Sequence, residues 1–97
     1  MGENRNSQQR ATEPRRALIA RAEAAWEDQS GVLHVSAVMI EDTSRGGAGI
    51  KLKQAIDVGT KVKIKWPKEE FFGIVRHCRR LGYDYIIGVQ RIGIDGK

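Results

Sequence analysis

"VLHVSAVMIEDTSRGGAGIKL", residues 32–52, joins two β-like runs through a polar, glycine-rich bend. Val32 to Ile40 is apolar and rich in β-branched side chains, which suit a pleated, half-buried surface. Beyond the bend, Ala48, Ile50 and Leu52 alternate with Gly49 and Lys51, the period of a strand with one buried face. Between the runs three glycines, Gly46, Gly47 and Gly49, fall within four residues, beside Asp42, Thr43, Ser44 and Arg45. Glycine admits positive φ and lets a backbone approach another group closely. Consecutive amides in such a bend can form an anion-binding nest. Asp42 and Ser44 would flank it and Arg45 would add a cation. The same residues also make a sound hairpin turn, because Asp and Ser side chains bond the local backbone. The chemistry alone leaves turn and ligand loop both open. It excludes two phosphate loops. No Gly-Lys-Ser/Thr follows, as an NTPase loop requires, and no helix follows, as a dinucleotide fingerprint requires.

The β pattern continues outward from this stretch. In Ala17 to Trp26, the residues Leu18, Ala20, Ala22, Ala24 and Trp26 alternate with Ile19, Arg21, Glu23 and Ala25. The alanine content favours helix. However, Glu27 to Gly31 reads as a turn into the strand at Val32, and a hairpin partner decides for strand. Downstream, Val62, Ile64 and Trp66 alternate with Lys61, Lys63 and Lys65, after a turn at Asp57-Val58-Gly59-Thr60 and before a stop at Pro67-Lys68. Phe71 to Arg80 is a further β run, Leu81-Gly82 turns the chain, and Tyr83 to Val89 returns. Regularly punctuated short strands of this kind predict an all-β domain, a small six-stranded antiparallel barrel over residues 15–97. Residues 1–14 have almost no large apolar side chains and are expected to form a flexible tail. Arg91 to Lys97 has little to anchor it.

Composition narrows the function classes. A chain of 97 residues suits one domain with a thin core, and a shallow binding site is more natural there than an enzyme cleft. No nucleophile–base pair and no spaced carboxylate pair stands out, so no enzyme activity is expected. His34, His77 and Cys78 are the only soft metal ligands, too few for a structural zinc, and adjacent strand residues face opposite ways. Neither metal nor cofactor is expected. The single cysteine excludes an internal disulfide and fits a reducing compartment. The polar N-terminal stretch and the lack of any membrane-length apolar run predict a cytoplasmic protein without membrane insertion. The net charge of +5 attracts phosphates without choosing among their carriers. Lys61, Lys63 and Lys65, with Lys51 and Lys53 nearby in sequence, form either a solvated face or a nucleic-acid surface. The latter wants exposed aromatics for base stacking. Trp66 instead falls in phase with Val62 and Ile64, so nucleic acid is a disfavoured partner.

One resemblance draws these signals together. Asp42-x-Ser44-x-x-Gly47, following a strand and running into Gly49-Ile50-Lys51-Leu52, is similar to the D/N-x-S-x-x-G motif of PilZ domains. The likeness extends over about residues 15–90. It includes an arginine pair near the N-terminus, two strands, the motif, Val58-Gly59-Thr60-Lys61-Val62 and a late Ile87-Gly88-Val89. The resemblance implies a six-stranded split barrel that binds cyclic di-GMP and signals to a downstream protein partner. It implies that Asp42, Ser44, Gly46, Gly47 and Gly49 touch or shape the ligand site. The family's second motif, R-x-x-x-R, is matched only loosely. Arg16 is followed four positions on by Ala20 and Arg15 by Ile19, leaving Arg10, Arg15 and Arg16 as the available clamp. The broken spacing keeps a second reading open, a PilZ-like barrel that binds no nucleotide and acts as a protein-interaction module.

Overall fold

The computed structural model describes residues 16–93, with side chains from residue 20. The expected flexible tail, residues 1–14 with Arg10, lies outside the described residues, as does Arg15. Six strands follow in order: β1 (Arg16–Glu27), β2 (Leu33–Thr43), β3 (Gly47–Leu52), β4 (Lys61–Trp66), β5 (Glu69–Leu81) and β6 (Asp84–Ile92). They close into a barrel in the order β1-β2-β3-β6-β5-β4, every pair antiparallel. The all-β barrel expected from the alternation is the fold.

Strand periodicity fills the interior. Ala24, Trp26, Val38, Ile40, Ala48, Ile50, Leu52, Val62, Ile64, Phe71, Val75, Ile87 and Val89 all point inward and are buried, with no polar or charged residue among them. The first strand settles as the alternation predicts, with Ala24 and Trp26 buried and Ala22 packed against the core. Strands β3 and β4 are not neighbours, so residues 53–60 cross one end of the barrel, and Ile56 plugs it at 2% exposure.

The β1–β2 turn is built by side chains. Asp28 Oδ1 accepts the amides of Ser30 and Val32 at 2.8 and 3.0 Å, while its Oδ2 lies 2.8 Å from His34 Nε2. His34 in turn stacks on Trp26, centroids 5.2 Å apart. His34 is thus a structural residue. Among the described residues three glycines take positive φ, Gly31, Gly59 and Gly82, and all sit in turns rather than in the Gly46–Gly49 bend.

Most strand ends differ from the sequence reading by a residue or more, and three of them bear on the site or the chain's end. Strand β2 runs on to Thr43, so Asp42 is a strand residue. Tyr83 belongs to the turn. Strand β6 continues to Ile92, which corrects the view that the chain is unanchored from Arg91.

Ile50 has no exposed surface and lies at the centre of the strand row formed by Ile40, Ile50 and Ile87. Replacing it with alanine should cost about 2–5 kcal/mol of unfolding free energy, transfer and cavity terms together. Urea denaturation of Ile50→Ala measures it, and a loss below about 1 kcal/mol would mean the core repacks more freely than a closed barrel allows.

Candidate functional site

With the interior filled by apolar side chains, any binding site must lie on the outer surface of the barrel. Strand alternation would turn Asp42 inward beside Ile40. It does not, because the β2–β3 register slips between Ile40 and Asp42. This bulge gives the strand one extra residue and re-aims the chain beyond it. Ile40 stays in the core, while Glu41 pairs with the outward Lys51 at 3.2 Å and Asp42 stands opposite Gly49. A second bulge lies between Val75 and His77 on β5. Val75 is buried, and Arg76 and His77 are both exposed.

The two bulges border one floor. Across the wall the register runs Asp42 to Gly49, Gly49 to Gly88, and Gly88 to His77. Asp42 and His77 therefore flank two paired glycines, and their backbones stand three strand spacings apart, about 14 Å. A Cβ on Gly49 would sit 3.0 Å from Asp42 Oδ2, so the carboxylate leans over that glycine. A Cβ on Gly88 would collide with the His77 imidazole. Asp42, Ser44, Gly46, Gly47, Gly49, Arg76, His77, Gly88 and Gln90 line a cleft of about 400 Å³ here. All five motif residues singled out in the sequence thus meet at one place.

The glycines work differently from the expectation. None of Gly46, Gly47 and Gly49 has positive φ, and the Ser44 amide donates to Gly47 O at 2.9 Å, so the bend is not an amide nest. Close approach is what Gly47 supplies, since a Cβ there would collide with the Val89 carbonyl. Nothing near Gly46 requires a glycine.

Arg91, which the sequence reading missed, braces the bend. Its amide donates to Gly46 O at 2.9 Å and its Nε to Ser44 O at 3.3 Å. Its guanidinium grips Glu69 with two bonds, at 3.1 and 2.7 Å, and lies 4.0 Å from the Phe71 ring centroid. Such bidentate pairs are geometrically specific. Arg16 opens β1 with its backbone paired to Thr43, and Ala17 is paired to Asp42. That registers the start of the barrel against the site.

The lysine stripe is interleaved with carboxylates and aromatic surface. Lys63 pairs with Glu70 at 3.1 Å, Lys53 with Asp84 at 2.9 Å, and Lys61 lies over Phe72. Trp66 packs against the core. This is a poor surface for single-stranded nucleic acid, which wants free cations and exposed rings. Among the described residues, no group of three or more His, Cys, Asp or Glu is placed to hold a metal ion, and no helix is long and apolar enough to cross a membrane.

The PilZ domain family model matches residues 8–97. The chain belongs to the PilZ domain family. PilZ domains are a cyclic di-GMP receptor family, in general binding modules rather than enzymes. A comparison with curated proteins gave no match. In this PilZ domain the family motif spans the end of β2, the bend and the first residues of β3, with the bulge at Ile40/Asp42 setting its first residue outward.

The Arg91 brace has a pH signature. Its hydrogen bonds and charge hold the Glu69 carboxyl below its ordinary 4.5, against the opposing effect of burial. A group depressed in the folded state stabilises above its unfolded pKa and loses that contribution as pH falls through the folded value. The Glu69–Arg91 pair should therefore support the barrel above pH 4.5 and fade below it. Thermal unfolding from pH 7 to 3 should fall less steeply below that point in Arg91→Gln than in the parent. Parallel curves would show that the pair contributes no linkage.

Proposed function

We propose that this PilZ domain is a cyclic di-GMP receptor module. The observation that carries the reading is the outward Asp42 carboxylate, turned by the β2 bulge onto a glycine floor beside Ser44. An ionised carboxylate is acceptor-only and suits a guanine edge that offers a ring N–H and an exocyclic amine. The Ser44 hydroxyl bonds the ligand, and Gly46, Gly47 and Gly49 shape the bend around it. Arg10, Arg15 and Arg16 clamp phosphate and guanine from the N-terminal side. Guanidinium groups suit this because they grip phosphate bidentately and stack on flat rings. Binding orders that segment over the dinucleotide and presents a new surface to a downstream protein. Nothing is turned over.

The irregular arginine spacing favours one competing reading, a barrel that binds no nucleotide and acts through protein contacts alone.

Calorimetric titration with cyclic di-GMP, with GTP as control, separates the two. The receptor reading expects saturable binding in the micromolar range or tighter and no heat from GTP. Asp42→Ala should weaken binding about 10- to 100-fold, the loss of hydrogen bonds to a charged group. Arg15→Ala with Arg16→Ala should weaken it as well. Absence of heat, with an unchanged melting temperature in the ligand's presence, would sink the receptor reading and leave the protein-interaction module.

A further inference from the structure

The chain has two histidines, and among the described residues the fold engages His34 alone. His34 is stacked on Trp26 and bonded to Asp28, inside the turn it stabilises. His77 is exposed and forms no hydrogen bond, ion pair or ring contact with its neighbours among the described residues. Its placement is nevertheless specific. The β5 bulge turns it outward next to Arg76, and its ring end lies over Gly88, where any side chain would displace it. The Arg76 guanidinium beside it is committed to Gln90 Oε1 at 2.6 Å. His77 is thus a flat aromatic surface at the edge of the glycine floor, with its polar atoms unused by the described residues.

Resting on the receptor reading above, we infer that His77 is a base-contacting residue of this site. Its imidazole, seated on Gly88, is the surface against which the purine whose edge Asp42 reads is packed. The register supports this directly. Asp42 leans over Gly49 and His77 over Gly88, and those two glycines are paired neighbours. A planar base beside the carboxylate must therefore meet the imidazole. Histidine is among the side chains on which bases stack. The ligand class is a purine nucleotide held by one edge and one face. The glycine pair serves both contacts, because a Cβ on Gly49 would press on the carboxylate at 3.0 Å and one on Gly88 would evict the ring.

Nuclear magnetic resonance of the imidazole protons, with calorimetry on variants, tests this. Only two histidine ring systems contribute, so His34 is an internal reference. Cyclic di-GMP should move the His77 ring signals and leave those of His34 in place. His77→Ala should weaken binding roughly 5- to 100-fold, the range for losing one base–aromatic stack, with the melting temperature of the free protein unchanged. His77→Phe should retain most of the affinity. The inference is overturned if the parent binds, Asp42→Ala does not, and His77→Ala binds like the parent with unmoved ring signals. Absence of binding by the parent overturns this inference together with the receptor reading, and the Asp42 variant keeps the two failures distinct.

Discussion

Each strand of the barrel sends alternate side chains inward, and the inward set is closed. Ile40, Ile50, Ile64, Ile87, Val62 and Val75 have no exposed surface, and among the described residues no polar or charged residue is buried with them. A small β-barrel packed to this degree has no interior left for a ligand. Its chemistry is confined to the outer wall, where alternation alone would deliver every second residue. The two bulges, at Ile40/Asp42 and Val75/His77, relax that rule on either side of the Gly49–Gly88 pair. Without the first, Asp42 would follow Ile40 into the core, where an unpaired carboxylate costs several kcal/mol and would neutralise instead. The bulges thus let a hydrophobic interior and a polar outer site share the same strands.

The bend between β2 and β3 depends on a different support. Gly47 brings it against the Val89 carbonyl, and the bend is then held from β6 by Arg91, which touches Gly46, Ser44, Glu69 and Phe71 together. One side chain therefore couples the bend to β5 as well as to β6. A surface ion pair alone contributes little. Here the guanidinium also stacks on a buried ring, so the pair is held in one geometry rather than sampled. The site's loop is braced by a distant strand end in addition to its own turn chemistry.

The parts of this arrangement that are local in sequence were legible there. Alternation in Val62–Trp66 and Ala48–Leu52 places those strands, and the hairpin logic overrides the helix propensity of Ala17–Ala25. Asp42, Ser44, Gly46, Gly47 and Gly49 do meet at one cleft. What was not legible is what depends on pairing between distant strands. A bulge is a register slip between two strands, and no pattern within β5 says that Arg76 and His77 will both face out. His77 and Cys78 do face opposite ways, as adjacent strand residues should, with Cys78 packed against the core, but alternation carried on from Phe71 and Val75 would have sent His77 inward. Gly88 reads as an ordinary strand glycine until its partners Gly49 and His77 are known. Arg91 follows Gln90, and two polar residues in a row look like a strand's end. Its anchors lie 22 and 47 positions away. The glycine-rich bend misled in one respect. Its glycines suggested positive φ, whereas Gly47 is there for the room it leaves.

Under the receptor reading, the same closure decides how a signal can leave the domain. A core of interdigitated aliphatic side chains resists graded deformation. A ligand on the outer wall gains nothing by repacking it, because a conformational change needs a difference in binding energy between two states. The elements free to respond are those attached at the rim of the floor. Strand β1 begins there, with Arg16 paired to Thr43, Ala17 paired to Asp42, and a third bulge before Ala20. The candidate arginine clamp enters the barrel at this point in the sequence. The occupied site and the start of β1 are then one surface, and a partner that distinguishes bound from free protein would have to contact it. The far wall, where Lys63 pairs with Glu70 and Lys61 covers Phe72, is tied down by its own contacts whether or not a ligand is present.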